Sequence, residues 1–124
     1  MPGVLRIVFA AILAVHGLVH LIGTAVYFQF TEMAEFPYKT TVLGGYWNLG
    51  TTGIQVFGLL WAAAAIGFWV AAGALLRASG AGHSILLAVT LLSLVLTTLD
   101  WTVAYAGIIV NLGILTALLL VPRL

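Results

Sequence analysis

Two histidines within one apolar run, His16 and His20, are the residues of this chain best suited to chemistry. A spacing of four places both imidazoles on one face of a helix. An ionisable side chain in an apolar helix is expensive to bury and marks a candidate functional site. Because imidazole can exchange protons near neutral pH, the pair could form a proton path or an acid–base site, with Tyr27 and Asp100 at its mouth.

Metal binding, haem ligation and a structural role are the alternatives for these histidines. Two neutral ligands leave a divalent cation uncompensated, and Asp100 is the only carboxylate predicted nearby, so we predict no metal site. One helix cannot supply both axial ligands of a haem, although ligation through a single histidine or with a second subunit stays open. In the structural alternative, both histidines cross-link helices through hydrogen bonds to threonine, asparagine or backbone carbonyls.

Other polar residues also fall on single helical faces. His20 lies about 12 Å and His16 about 18 Å from the end of the first apolar segment, at 1.5 Å per residue. At about 100° per residue, each segment has one face with polar or small residues. These faces predict a polar chamber that opens outward, bounded by His16, His20, Gln55, Thr97, Asp100 and Asn111. The candidate catalytic residues are His16, His20 and Asp100; the candidate ligand- or cofactor-binding residues are His16, His20, Tyr27, Gln55, Thr97 and Asn111.

The composition of the chain requires a lipid environment around the helices that carry these faces. Of 124 residues, 64% are hydrophobic and 6% are charged, which is too few charges to cover a water-soluble core. Apolar runs long enough to span a bilayer predict four transmembrane helices at residues 4–28, 54–76, 83–99 and 101–121. We therefore expect an all-α membrane protein, a four-helix bundle formed by residues 1–124 as a single domain. A cleaved signal peptide is the alternative for the first run, but its length and two histidines favour retention.

The positions of the charges predict an orientation. Arg6, Arg77 and Arg123 fall at the N-terminus, the second connection and the C-terminus, so the positive-inside rule places both termini in the cytoplasm. This arrangement suits a multi-pass protein of the cytoplasmic membrane. The outer connection, residues 29–53, contains two β-prone runs around Gly44-Gly45, which predict a short β-hairpin with a tight turn. An irregular aromatic loop is the alternative.

Several functions are not supported by the sequence. Without cysteine there is no disulfide, thiolate metal site or protein-held iron–sulfur cluster. A net charge of +1 does not indicate the basic surface that nucleic-acid binding needs. Known nucleophile motifs, phosphate loops and paired carboxylates are missing, so the sequence permits enzymatic activity without indicating it.

A resemblance extends over most of the chain. His-Gly-Leu-Val-His-Leu-Ile-Gly at 16–23, Phe-Pro-Tyr-Lys-Thr-Thr-Val-Leu-Gly at 36–44, Asp100-Trp101 and Val-Asn-Leu-Gly at 110–113 resemble small bacterial membrane proteins without assigned activity. The four-helix size is also similar to that of the DoxX-like membrane proteins, some of which are associated with quinone-linked redox systems. This likeness implies the architecture and transfers no functional residue.

Three functions follow, in order of preference. The first is a binding or accessory protein whose chamber holds a small apolar molecule, such as a quinone, or packs against a partner helix, a larger membrane complex or a second copy. The second is a small redox or isomerase enzyme that uses His16 and His20 for proton transfer or cofactor ligation; no cofactor is identified. The third is a proton or ion conduit, which ranks lowest because leucines dominate the cytoplasmic half.

Overall fold

Four long helices account for most of the chain in the structure, a computed structural model that describes residues 2–121. Each helix is long and apolar enough to cross a membrane, which makes the chain a small multi-pass membrane protein. The predicted bounds agree within a residue or two, except that the second helix begins four residues early. Arg123 lies outside the described residues. The helices are α1 (Gly3–Tyr27), α2 (Gly50–Leu76), α3 (Gly82–Leu99) and α4 (Trp101–Leu120).

Local hydrogen bonds explain two of these boundaries. The side-chain oxygen of Asn48 accepts a 3.0 Å bond from the Gly50 N–H, which satisfies one of the free donors at the start of α2. Asp100 alone separates α3 from α4, and its carbonyl accepts from the N–H groups of Val103 and Ala104 at 3.0 and 2.9 Å. The α3–α4 turn therefore consists of one residue, as the predicted segments 83–99 and 101–121 require.

The helices form an up-and-down bundle. His20 contacts Ser93 and Tyr27 contacts Asp100, with the same separation of 73 residues, so α1 and α3 run parallel. Consecutive helices pack against each other in antiparallel pairs. Small residues make close approach possible, because a Cβ atom on Gly17 would lie 3.0 Å from the Ala65 carbonyl oxygen. The four-helix bundle predicted from the sequence is confirmed.

The connection between α1 and α2 contains the predicted hairpin. Strand β1 (Thr41–Val42) pairs antiparallel with β2 (Trp47–Asn48). The turn has four residues, 43–46, instead of the tight two-glycine turn, and both glycines in it have positive φ. Gly44 lies against the Trp101 ring, so the hairpin packs on the beginning of α4. We call this end of the bundle, with Asp100, the hairpin end.

Candidate functional site

A buried hydrogen-bond cluster joins α1, α3 and α4 near the middle of the bundle. His16 Nε2 lies 3.0 Å from Asn111 Oδ1, and His20 Nε2 lies 2.6 Å from Ser93 Oγ. Asn111 Nδ2 donates to Ser93 Oγ at 2.8 Å and to Thr97 Oγ1 at 3.3 Å. Four of the predicted site residues, His16, His20, Thr97 and Asn111, are thereby joined in one cluster through Ser93 and Asn111. His16 makes the cross-link to an asparagine that the structural alternative names, whereas His20 makes one to a serine.

The direction of each bond fixes where the protons lie. His20 Nδ1 is 2.7 Å from the His16 backbone carbonyl, which can only accept, so Nδ1 carries the His20 proton. Singly protonated His20 then accepts at Nε2 from the Ser93 hydroxyl. Asn111 donates through its amide and accepts at Oδ1, so the proton of His16 lies on Nε2. Both nitrogens of His20 are engaged.

One nitrogen of His16 is left without a partner. Among residues 2–121, no hydrogen bond reaches His16 Nδ1, and this atom is not among the fully buried unpartnered polar atoms. It is therefore accessible, although His16 as a whole is only 8% exposed. In the singly protonated ring described above, Nδ1 holds a lone pair that can accept a hydrogen bond.

Aromatic side chains of α2 form the back of the cluster. The Phe68 ring lies 4.8 Å from His16 and 5.2 Å from His20 between centroids, and the Trp61 ring lies 5.0 Å from His20. Trp61 is 4% exposed, and within the described chain its Nε1–H has no hydrogen-bond partner. An unpaired buried donor is unusual, because desolvation without a replacement bond costs roughly 1–3 kcal/mol.

A cleft of about 740 Å³ separates α1 from α4 and reaches this cluster. His16, His20, Trp61 and Thr97 line it together with apolar side chains of both helices. Its two walls include exposed residues, so the cleft opens sideways along the bundle surface. Met33, Glu35 and Phe36 line its hairpin end; the walls are represented by Ile12, Val15 and Val19 of α1 and by Val103, Gly107 and Val110 of α4.

Asp100 belongs to a separate group at the hairpin end. Its carboxylate forms a 2.9 Å salt bridge with Lys39 and accepts a hydrogen bond from the Tyr27 hydroxyl, which in turn accepts from Lys39 at 2.9 Å. The Asp100 side chain is fully buried, and the ammonium group also lies 5.4 Å from the Phe36 ring centroid. Neither Asp100 nor Tyr27 contacts the histidines through a hydrogen bond within residues 2–121. Lys39, the only lysine of the chain, was not among the predicted site residues.

Gln55 is not part of either group. It lies on the exposed side of α2, because the buried face of this helix passes through Ile54, Gly58 and Trp61. The site therefore differs from the predicted chamber in composition and opening: it lacks Gln55, excludes Asp100 and opens sideways between two helices. Ser93 lies one helical turn from the predicted Thr97 on α3. Trp61 and Phe68 were missed because α2 contains four apolar aromatic residues, and nothing in the sequence distinguishes these two from the others.

Within the described residues, no three histidine, aspartate or glutamate side chains are grouped to hold a metal ion. No protein-family profile, curated protein or solved structure matches this chain. The likeness to DoxX-like proteins gains no support from these comparisons. Function is accordingly argued from the geometry of the cleft.

Proposed function

We propose that this protein binds a small hydrophobic molecule of the membrane in the cleft between α1 and α4. The observation that carries the proposal is an apolar cleft with a polar cluster at its back. A volume of about 740 Å³ falls within the range of small-molecule sites, which combine apolar walls with a few polar groups. A quinone is one molecule of this class, and the cytoplasmic membrane is the proposed location.

Access from the lipid supports this proposal. The walls include Ile12, Val15 and Val110, which are 48%, 61% and 38% exposed. In a bilayer these side chains face hydrocarbon, so an apolar molecule can enter sideways without crossing water. The segment with Met33 and Phe36 bounds the hairpin end, and this closure suits a short ligand better than a continuous partner helix. A larger membrane complex or a second copy remains a further proposed partner for the other exposed apolar faces.

Catalysis is the second candidate, and the unpartnered nitrogen of His16 favours it. A general base needs a lone pair within hydrogen-bond reach of its substrate. His16 Nδ1 has the lone pair that a general base needs, and His16 lines the cleft in which a substrate would lie. His20 is a positioning residue in this scheme, because both of its nitrogens are already bonded. Of the two histidines predicted to transfer protons, only His16 therefore has a nitrogen available for this step.

Extraction of the protein with its surrounding lipid tests the binding proposal. Mass spectrometry of the purified particles should find a hydrophobic molecule enriched over the bulk membrane. Ala106 lines the cleft, so Ala106→Phe should fill it and remove the enrichment. Ala63 is exposed on α2 away from the cleft, and Ala63→Phe should retain the enrichment. Equal enrichment in both variants, or none in the parent, would contradict the proposal.

A further inference from the structure

We infer that the α1–α4 cleft selects apolar molecules that donate a hydrogen bond, and that Asn111 sets this preference by fixing which nitrogen of His16 carries the proton. The inference rests on the proposed binding function and specifies its ligand class. Asn111 is fully buried and does not line the cleft, so it acts through His16 as a positioning residue.

Two backbone carbonyls, which can only accept hydrogen bonds, fix the direction of the bonds in the cluster. The His16 carbonyl accepts from His20 Nδ1 at 2.7 Å, so His20 Nε2 accepts from the Ser93 hydroxyl. The Ser93 carbonyl accepts from the Thr97 hydroxyl at 2.8 Å. Both hydroxyl protons are thereby used, and the two hydroxyl oxygens can only accept from their other partner, Asn111.

Asn111 transmits this direction to the cleft. Its amide nitrogen must face Ser93 and Thr97, at 2.8 and 3.3 Å, because the reversed amide would place its oxygen against two acceptors. The amide oxygen then faces His16 and accepts from Nε2 at 3.0 Å. A ring with its single proton on Nε2 has a lone pair on Nδ1, so His16 presents an acceptor to the cleft that it lines.

The donors of the cleft are already used or out of reach. The side chains with nitrogen or oxygen atoms that line it are those of His16, His20, Glu35, Trp61 and Thr97. Both nitrogens of His20 are bonded, the Thr97 hydroxyl donates to a backbone carbonyl, and the Trp61 Nε1–H is fully buried. Glu35, an exposed carboxylate at the hairpin end, can only accept. Side chains among residues 2–121 therefore offer a ligand acceptors in this cleft and no free donor.

This arrangement favours an O–H or N–H group on the ligand. A phenol, an alcohol or an indole can donate to His16 Nδ1, whereas an ether, ester or ketone can only accept and would leave the lone pair unpaired. Of a quinone couple, the hydroquinone carries the donor. A carboxylate or phosphate is disfavoured further, because Glu35 has the same charge and no lysine or arginine of the described residues lines the cleft.

The binding test uses pairs of probes that differ by one methyl group on the donor atom. An alkylphenol is compared with its methyl ether, and an alkylindole with its N-methyl derivative, in the detergent-solubilised parent protein. Binding constants are expressed per mole fraction in the micelle, so that differences in partitioning into detergent are removed. We expect each donor to bind about three- to tenfold more tightly than its methylated partner, the effect of roughly one hydrogen bond. The two pairs separate an O–H ligand from an N–H ligand.

The role of Asn111 is tested in Asn111→Leu. Without the amide oxygen, the ring proton of His16 is free to move to Nδ1, where it can be donated to an ether oxygen. The preference for the donor probes should therefore disappear in this variant. Thr116 on the same helix is exposed and bonds its own backbone, so Thr116→Val should keep the preference of the parent protein.

Nitrogen nuclear magnetic resonance reports the tautomer of His16 without a ligand. Bare and protonated imidazole nitrogens resonate far apart, and His16→Asn identifies the signals of His16 among those of the three histidines by their loss. The parent protein should show Nε2 protonated and Nδ1 bare, and the donor probes should move the Nδ1 signal upfield. In Asn111→Leu the two signals should move toward an average of both tautomers. A purely structural role of Asn111 would leave the tautomer unchanged.

The outcomes separate this inference from the proposed function. If no probe binds, the cleft is not a ligand site and the proposed function fails, together with the inference that rests on it. If the probes bind but each donor binds no more tightly than its methylated partner, the cleft holds apolar molecules and the donor inference is wrong. A proton on Nδ1 in the parent protein, or an unchanged preference in Asn111→Leu, would also overturn it. Should Asn111→Leu fail to fold, the probe pairs and the nitrogen spectrum of the parent protein still decide.

Discussion

His16 Nε2 on α1 donates a 3.0 Å hydrogen bond to Asn111 Oδ1 on α4, 95 residues later in the chain. Within residues 2–121, this is the side-chain hydrogen bond that joins the two walls of the cleft. The same bond sets the tautomer of His16 and leaves Nδ1 as an acceptor. The structural and the proposed binding roles of His16 therefore depend on the same contact.

Asn111→Leu should destabilise the protein by about 2 kcal/mol, because it removes three hydrogen bonds and leaves His16 with a buried unpaired donor. Reversible unfolding in mixed micelles measures this change. Thr116 on the same helix is exposed and bonds its own backbone, so Thr116→Val should change stability by less than about 0.5 kcal/mol. A loss no larger in Asn111→Leu than in Thr116→Val would contradict this account.

A double-mutant cycle isolates the bond itself. His16→Leu, Asn111→Leu and the double variant should give a coupling energy of about 0.5–1.5 kcal/mol, the usual size of interhelical hydrogen bonds in membranes. Additive effects would show that the two side chains stabilise the bundle independently.

The second prediction concerns the buried carboxylate of Asp100 at the hairpin end. Asp100→Asn can still accept from Tyr27, but it leaves the Lys39 ammonium without its counter-charge. Since Lys39 is 23% exposed, we expect a loss of about 2 kcal/mol, below the 3–5 kcal/mol typical of a fully buried broken pair. Thermal unfolding in detergent measures it.

Two further variants test whether the loss of stability in Asp100→Asn comes from the unpaired Lys39 charge. Glu32 is an exposed acid in the same connection, and Glu32→Gln should leave the melting temperature unchanged. Adding Lys39→Met to Asp100→Asn should restore part of the stability, because the uncompensated charge is removed. If the double variant is less stable than Asp100→Asn alone, charge pairing is not the cause of the loss.

Close helix packing makes a third prediction. Gly17→Ala should destabilise the protein by about 1–3 kcal/mol, because the added Cβ would meet a backbone atom of α2 that cannot rotate away. Gly113 on α4 has no atom within 4 Å of such a Cβ, so Gly113→Ala should stabilise its helix by up to about 1 kcal/mol. Unfolding measurements on the two variants should differ in sign. Equal effects would show that α1 and α2 are not held this closely.

The sequence predicted the helices well because spanning length and hydropathy are local properties. The third helix begins one residue before the predicted segment 83–99. The largest difference is at the start of α2, which lies four residues before the predicted start, where the Asn48 side chain supports an extra turn. Helical phase also placed His16, His20, Thr97 and Asn111 on interior faces, and the structure joins them in one buried cluster. A polar side chain near the middle of a spanning helix is expected to turn toward protein, and this constraint accounts for the interior position of these four residues.

The rest of the site depends on distant parts of the chain. Lys39 reaches Asp100 because the connection folds back over the bundle, which no spacing within that connection indicates. Gln55 lies on a helical face with small residues, yet the adjacent face of α2 is the one that packs. The cleft exists because α4 packs against α3 and leaves a gap toward α1. Hydropathy cannot predict such a gap, since lipid-facing and cleft-facing residues are equally apolar.

The orientation of the bundle is the last prediction, and labelling can test it because the chain has no cysteine. Tyr46→Cys places a thiol on the hairpin, where Tyr46 is 95% exposed, and Ala81→Cys places one in the exposed α2–α3 connection near Arg77. Since arginines favour the cytoplasmic side, a membrane-impermeant maleimide added to intact cells should label Tyr46→Cys and spare Ala81→Cys. Permeabilised cells should show both labelled. The reverse pattern would place the Lys39–Asp100 pair in the cytoplasm and show that three arginines do not determine the orientation of this bundle.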